Sequence, residues 1–146
     1  MKVRFIGAAV LLVSLSFAAA AQERMRLTRY VYGYKYTFKV FDEDLQKTPS
    51  WNPSAGDVPV SPRKAVDLAK ITIAQLLPRF DEKWVLDRVE LSQLLTDKWV
   101  YEVEFRNDEL FQSQTGPDYA FSIFVKMDCT VVEPDVVPND GKVRIY

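Results

Sequence analysis

The sequence holds few residues that could perform catalysis. Cys129 is the only cysteine, and the chain contains no histidine. A catalytic thiol normally needs a basic partner, usually histidine, that lowers its pKa. The lack of histidine also excludes a Ser-His-Asp arrangement, an imidazole general base and a His-based zinc site. Because Cys129 lies between two alternating apolar runs, we expect it to occupy a turn. An intermolecular disulfide is the alternative functional role.

Two turn geometries are open for Asp128 and Cys129. A two-residue hairpin loop favours positive φ, so Cys129 would hold a glycine's place at a cost of about 1–2 kcal/mol. Val125 would then face Val132. A three-residue loop would relieve that cost.

Carboxylates are the remaining candidates for acid–base chemistry. Glu102 and Glu104 alternate with apolar residues on one strand, so they share its wet face and are expected to be a solvated pair. The acidic run 42–44 lacks the spacing of a calcium loop. The five glycines are scattered and form no phosphate-binding loop. We therefore predict no enzyme activity, no catalytic or metal site and no cofactor; the binding residues stay unknown.

The elements that would position these residues begin with residues 30–41, YVYGYKYTFKVF. Their period-two alternation predicts one strand with an aromatic core face, after a frayed segment 22–29. The aromatic row could instead be a stacking platform. Residues 42–58 are predicted to form a loop, in which Trp51 either packs onto the core or contacts a partner.

One amphipathic helix follows the loop. Ser61 is a suitable N-cap, Pro62 suits the first helical position, and Pro78 ends the segment. Apolar residues between them fall on one stripe, which predicts a helix packed on a core. Ile71 lies off the stripe, either exposed or in contact with the preceding loop.

Alternating residues predict strands at 84–94, 99–105 and 119–127, and a short one from Thr130. Residues 107–118 form a longer loop, and KVRIY at the C-terminus is a possible last strand. A lone helix must bury its stripe against the sheet. The fold is therefore predicted to be α+β, with one helix on a four- to five-stranded antiparallel sheet in the order β-α-β-β-β-β.

Residues 1–21 have the pattern of an export signal. Lys2 and Arg4 precede an apolar run, and small residues offer cleavage after Ala20 or Ala21. An uncleaved membrane anchor is the alternative. We expect cleavage, a periplasmic or secreted protein, no stable membrane insertion, and a single domain over 22–146.

Charge narrows the range of partners. Loss of Lys2 and Arg4 leaves 17 of the 19 basic residues against all 20 acidic ones. This mild acidic balance argues against nucleic acid and against anionic membranes. A single cysteine cannot form an internal disulfide, so stability must come from packing.

Three segments resemble the PepSY or PepSY-like domain: VSPRKAVDLAK, WVLDRVELSQLLTDKWVYEVEF and FSIFVKMDCTVVEP. The matching positions are Ser61, Ala65 and Ala69 in the helix; Val89, Glu90 and Leu91, then Tyr101, Glu102 and Val103, in the strand pair; and Asp128, Thr130 and Val131 in the last hairpin. Cys129 stands where that family has glycine. The resemblance covers roughly residues 58–135, and a cystatin-like arrangement is its neighbour.

The resemblance implies an exported, non-catalytic domain, and some such domains occur in protease propeptides, where they are thought to inhibit. We accordingly expect a binding module for a protein or peptide. One alternative is a protease inhibitor that uses a projecting loop at 45–58 or 107–118. Another is a small-molecule carrier or small enzyme with a pocket between helix and sheet.

Overall fold

A computed structural model describes residues 21–77, 83–110 and 118–139. Residues 1–20 of the predicted export signal 1–21, the possible strand 142–146 and most of the predicted loop 107–118 lie outside the described residues. Within them the elements are β1 (Glu23–Val31), β2 (Tyr34–Phe41), α1 (Asp42–Gln46), a 3₁₀ turn (Pro53–Ala55), α2 (Pro62–Leu76), β3 (Val85–Leu95), β4 (Lys98–Arg106), β5 (Ala120–Lys126) and β6 (Asp135–Pro138).

The strands form two antiparallel sheets, ordered β1-β2-β6 and β3-β4-β5. The predicted α+β class, with one main helix packed on an antiparallel sheet, is confirmed. The strand count and order differ, because six strands in two sheets replace the predicted single sheet of four or five. The three strands predicted at 84–94, 99–105 and 119–127 are found to within one residue at each end.

The largest difference lies at the first strand, since residues 30–41 are not continuous. Tyr32 and Gly33 have φ of 51° and 80°, the left-handed backbone that a two-residue hairpin loop requires. Val31 pairs with Tyr34 across the turn. The segment 22–29, predicted to be frayed, is β1. Met25 and Leu27 face Val40 and Phe38 and pack against the core, which holds this strand in place.

The helix α2 begins and ends as predicted. The Ser61 Oγ accepts a hydrogen bond from the backbone N–H of Lys64 at 3.2 Å, and Pro62 takes the first helical position. Ala65, Ala69 and Ile73 are fully buried, and the helix packs on β4 and β5. Two of these three are alanines, so the helix axis can approach the sheet closely. Ile71 is 60% exposed, as a surface residue.

Two tyrosine hydroxyls bind backbone carbonyls at the two ends of α2. Tyr101 donates to the Val60 carbonyl at 3.0 Å, and Tyr36 donates to the Leu76 carbonyl at 3.2 Å. Burial raises the pKa of both phenols, so both stay protonated and able to donate. One tyrosine comes from each sheet, and the helix thereby links the two sheets.

Aromatic packing joins the sheets along β5. The Phe121 ring lies 5.0 Å from Tyr36 and 5.7 Å from Phe38, measured between centroids, and Phe124 lies 5.6 Å from Phe38. These edge-to-face contacts are favourable beyond the area they bury. Phe121 and Phe124 point to opposite faces of β5, so both faces of this strand lie in the core.

Residues 42–58 are more ordered than a loop. Three acidic residues form the first turn of α1, where negative charge is favourable at a helix N-terminus. Leu45 is fully buried and anchors the turn. The Thr48 hydroxyl then donates to the Leu45 carbonyl at 2.7 Å.

The strand predicted from Thr130 is reduced to one bridge, between Val131 and Val125. The chain then crosses to the other sheet, where β6 pairs with β2. Pro134 precedes β6 and has no N–H to continue a ladder along β5. Among the described residues, no helix has the length and apolar character needed to cross a membrane.

Candidate binding surface

Glu102 and Glu104 lie on the face of β4 that looks away from α2, and they are not simply solvated. Their side chains are 21% and 14% exposed. The Ser122 hydroxyl, which is fully buried, donates to Glu102 at 2.7 Å and lies 3.4 Å from Glu104. The expectation of a wet pair was therefore wrong, because β1 and β2 lie near this face and exclude part of the solvent.

Two arginines compensate the charge of these carboxylates. Arg29 of β1 lies 3.5 Å from Glu104, and Arg88 of β3 lies 3.8 Å from both carboxylates. Opposite charges at these distances attract one another. The arrangement suits a structural link between β1 of one sheet and β4 of the other.

Cys129 occupies the turn after β5, as predicted, with a left-handed φ of 66°. Its backbone N–H donates to the Lys126 carbonyl at 3.1 Å, and the Lys126 N–H donates to Thr130 at 2.8 Å. The loop therefore has three residues, and Val125 faces Val131 instead of Val132. The three-residue loop does not relieve the backbone cost, because its last position also requires positive φ.

The Asp128 carboxylate organises this turn. Its Oδ1 accepts hydrogen bonds from the Thr130 backbone N–H at 3.0 Å and from the Thr130 hydroxyl at 2.6 Å. Partial burial raises the pKa of Asp128, but the hydrogen bonds from Thr130 outweigh it, and the net pKa is lowered. The Cys129 thiol is exposed, and the hydrogen bonds that hold the turn involve the backbone and Asp128, not this thiol.

The first residue of the acidic run 42–44 is paired with an arginine of β1. Arg24 of β1 makes two contacts with the Asp42 carboxylate, one of them 2.9 Å long. The Arg24 hydrogen bond lowers the pKa of Asp42. Over residues 21–77, 83–110 and 118–139, no three potential ligands lie close enough together to hold a metal ion.

The aromatic row of residues 30–41 is divided by its turn. Tyr36 and Phe38 are buried, as expected for a core face, whereas Tyr30 and Tyr34 are about two-fifths exposed. The two exposed rings point to opposite faces of the hairpin, because Tyr30 pairs with Lys35 and Tyr34 with Val31. They cannot form one continuous stacking platform.

Trp51 packs onto the protein, which is the first of its two predicted alternatives. Its ring meets Trp99 edge to face at 5.3 Å, and its backbone N–H donates to Asp97 at 2.9 Å. The buried Lys98 ammonium donates to the Thr48 carbonyl at 2.6 Å. These bonds fasten residues 48–51 to the β3–β4 hairpin, so this part of segment 45–58 does not project as an inhibitory loop would.

The space between α2 and its sheet is apolar. Ala65, Ala69 and Ile73 meet the fully buried Val103 and Ile123 in one continuous core. The described residues there offer no polar lining for a ligand. An open cleft of about 200 Å³ lies elsewhere, between Lys39, Asp44, Lys126 and Glu133. Its charges are mixed and favour neither an anion nor a cation.

The second edge of β3 is the most distinctive surface. β4 pairs along one edge of β3, and none of the described strands pairs along the other. Val85, Leu86 and Val89 on this strand are 47%, 43% and 36% exposed. A long edge strand that carries exposed apolar residues readily pairs with another chain. We call the outer side of Val85–Leu95 the open edge.

Position relative to α2 explains this exposure. Leu86 and Val89 pair with Phe105 and Val103, so they lie on the helix-facing side of the sheet. The helix packs mainly on β4 and β5 and leaves this side of β3 uncovered. The sequence predicts a strand at 84–94, but its alternation does not distinguish a covered strand from an uncovered edge.

Comparisons with known proteins return no match for this chain, whether the search is against protein-family models, curated proteins or solved structures.

Proposed function

We propose that this chain is an exported, non-catalytic, PepSY-like binding module that contacts a protein or peptide in the periplasm or outside the cell. The observation that carries the proposal is the open edge of β3. An extended segment of a partner can add to such an edge through main-chain hydrogen bonds, while side-chain contacts supply selectivity. Val89 and Leu86 would provide the apolar contacts.

Three features support a PepSY-like assignment. The helix-cap role of Ser61 and the buried positions of Ala65 and Ala69 suit the helix motif of that family. Cys129 has the positive φ expected where the family has glycine. The β3–β4 hairpin follows the helix, as in the family pattern.

The absence of histidine and the compensated carboxylates support a role without catalysis. Cys129 lies at an exposed turn, and Glu102 and Glu104 are engaged by Ser122 and two arginines. Protease inhibition is a weaker candidate, because segment 48–51 is fastened to the hairpin.

Site-specific photocrosslinking tests the proposal. A photoreactive amino acid replaces Val89 in the full chain, expressed in its source cells. Ile71, which is exposed on α2, carries the same group as a matched control. We expect discrete crosslinked adducts from position 89 and none, or only diffuse ones, from position 71. Equal labelling from both positions, or none from position 89, would refute binding at the open edge.

Cell fractionation of the same strain tests export. The protein should leave the cytoplasm and lose about two kilodaltons with residues 1–21, at roughly 0.11 kDa per residue. A full-length protein retained in the cytoplasm would contradict the exported role.

A further inference from the structure

We infer that a second copy of this chain occupies the open edge, with the two β3 strands paired antiparallel about a two-fold axis centred on Val89. This inference rests on the proposed function, since it names a partner for the same surface. With the axis at Val89, residues 88–90 of the two copies pair with one another, and Leu91 lies opposite Asp87, at the irregularity between Leu86 and Arg88.

The first step is geometric. The ladder between β3 and β4 is irregular between Leu86 and Arg88 and again between Gln93 and Leu95. Between these points the strand is regular and can accept another strand. A two-fold axis perpendicular to the sheet maps each face onto itself, so opposite residues must lie on the same face.

The second step is charge complementarity. When Val89 faces Val89 of the second copy, each Arg88 faces Glu90 of the other copy. This register makes two favourable cross-strand ion pairs around an apolar pair. An axis at Arg88 or at Glu90 would instead place like charges opposite each other, which is unfavourable. Within one chain Arg88 already lies 3.2 Å from Glu90 and 3.8 Å from Glu102 and Glu104. Because the side chains of Arg88 and Glu90 are half exposed, they can also reach a second copy, and the two pairs then form one network of four charges.

The third step concerns apolar contact. Val89 and Leu91 lie on the helix-facing side, since they pair with Val103 and Tyr101. In the proposed register Leu91 lies diagonal to Val89 of the second copy, within reach of an aliphatic contact. The competing register, centred on Leu91, would pair Leu91 with itself and place no acidic residue of the second copy opposite Arg88.

Disulfide trapping separates these registers. In a Cys129→Ser background, Val89→Cys, Leu91→Cys and Ile71→Cys are each incubated with oxidised glutathione and compared on non-reducing gels. We expect covalent dimers from Val89→Cys at least several-fold above those from the other two. Dominant trapping through Leu91→Cys would overturn the Val89 register, and trapping no greater than with Ile71→Cys would overturn the dimer.

Charge reversal gives an independent test. Arg88→Glu and Glu90→Arg alone should each weaken self-association in sedimentation-velocity measurements over a range of concentrations. An equimolar mixture of the two should associate, because every cross-strand pair is then again between opposite charges. Arg63→Glu and Asp67→Arg, at exposed positions of α2, repeat the charge changes away from the edge and should behave as the wild type.

Circular dichroism checks that each variant is folded. If a charge variant does not fold, the disulfide experiment still tests the proposal, because it does not use that variant. A wild type that stays monomeric at every concentration, with photocrosslinks from position 89 to other proteins, would overturn the self-pairing and keep the proposed function. If the protein neither self-associates nor forms adducts with other proteins, the self-pairing and the proposed function are both refuted.

Discussion

β3 and β5 pair with the same strand, β4, from opposite sides, yet their surroundings differ greatly. Residues 121–125 of β5 are all buried, whereas most of β3 is exposed. β5 is covered by α2 and by the aromatic side chains of β2. Neither α2 nor these aromatic side chains cover β3. Pairing within a sheet therefore does not decide burial; the layers above and below the strand do.

The two strands consequently have different roles. β5 carries Phe121 and Phe124, whose rings contact Tyr36 and Phe38 of the other sheet, and Ile123, which is fully buried. β3 carries Asp87, Arg88 and Glu90 between its apolar residues, which keeps an exposed strand soluble. Stability should depend on β5 and interaction on β3.

Truncating one side chain on each strand should give the largest difference in stability between β5 and β3. Phe121→Ala should lower the free energy of unfolding by about 3–5 kcal/mol, because it leaves a cavity between Tyr36 and Phe38. Val89→Ala should lower it by no more than about 1 kcal/mol, since Val89 is already partly exposed. Urea denaturation followed by circular dichroism measures both. Similar losses at the two positions would contradict the division of roles.

Two serines on the same face of the sheet offer a second test. Ser122→Ala should cost about 1–3 kcal/mol, because it removes a buried hydroxyl that donates to the Glu102 carboxylate. Ser92→Ala on β3 should change stability by less than about 0.5 kcal/mol, as for other surface positions. The same urea experiment compares them, and a larger effect at Ser92 would break the comparison.

The turns next to these strands differ as well. Cys129→Gly, after β5, should raise the free energy of unfolding by about 1 kcal/mol, because glycine adopts left-handed backbone without a steric penalty. Asp97→Gly, in the turn after β3, should lower it by about 0.5–1 kcal/mol. Asp97 is not among the residues with positive φ, so glycine relieves no strain there and only increases the conformational entropy of the unfolded chain. Thermal melting distinguishes the signs. A fall in melting temperature for Cys129→Gly would refute the turn geometry.

The smallest expected effect is a pH dependence at the end of β5. The pKa of Asp128 is lowered from its ordinary value of 3.8. Its contribution to stability is therefore complete above that value and is lost as pH falls through the lowered pKa. Asp128→Asn keeps an acceptor for Thr130 but cannot titrate.

Urea midpoints measured from pH 7 down to about pH 2 compare this variant with the wild type. The wild type should lose more stability on acidification. Parallel pH profiles would show that Asp128 has the same pKa in the folded and unfolded states.

Local patterns predicted much of the fold. The bounds of α2 follow from Ser61, Pro62 and Pro78, and the alternation of 99–105 and 119–127 placed β4 and β5. The position of Cys129 in a turn was also predictable. The hairpin at Tyr32 and Gly33 was missed, because glycine within an alternating aromatic run looked like part of a strand.

The candidate site was much less predictable, and β3 shows why. By itself, the sequence determined the helix, most of the strands and the lack of a histidine-based catalytic set, because caps, prolines and side-chain alternation act over a few residues. Only the tertiary structure decided that Glu104 of β4 contacts Arg29 of β1, and that β3 is not covered by α2. Those outcomes depend on how distant segments pack, and local periodicity carries no information about which strand becomes an uncovered edge.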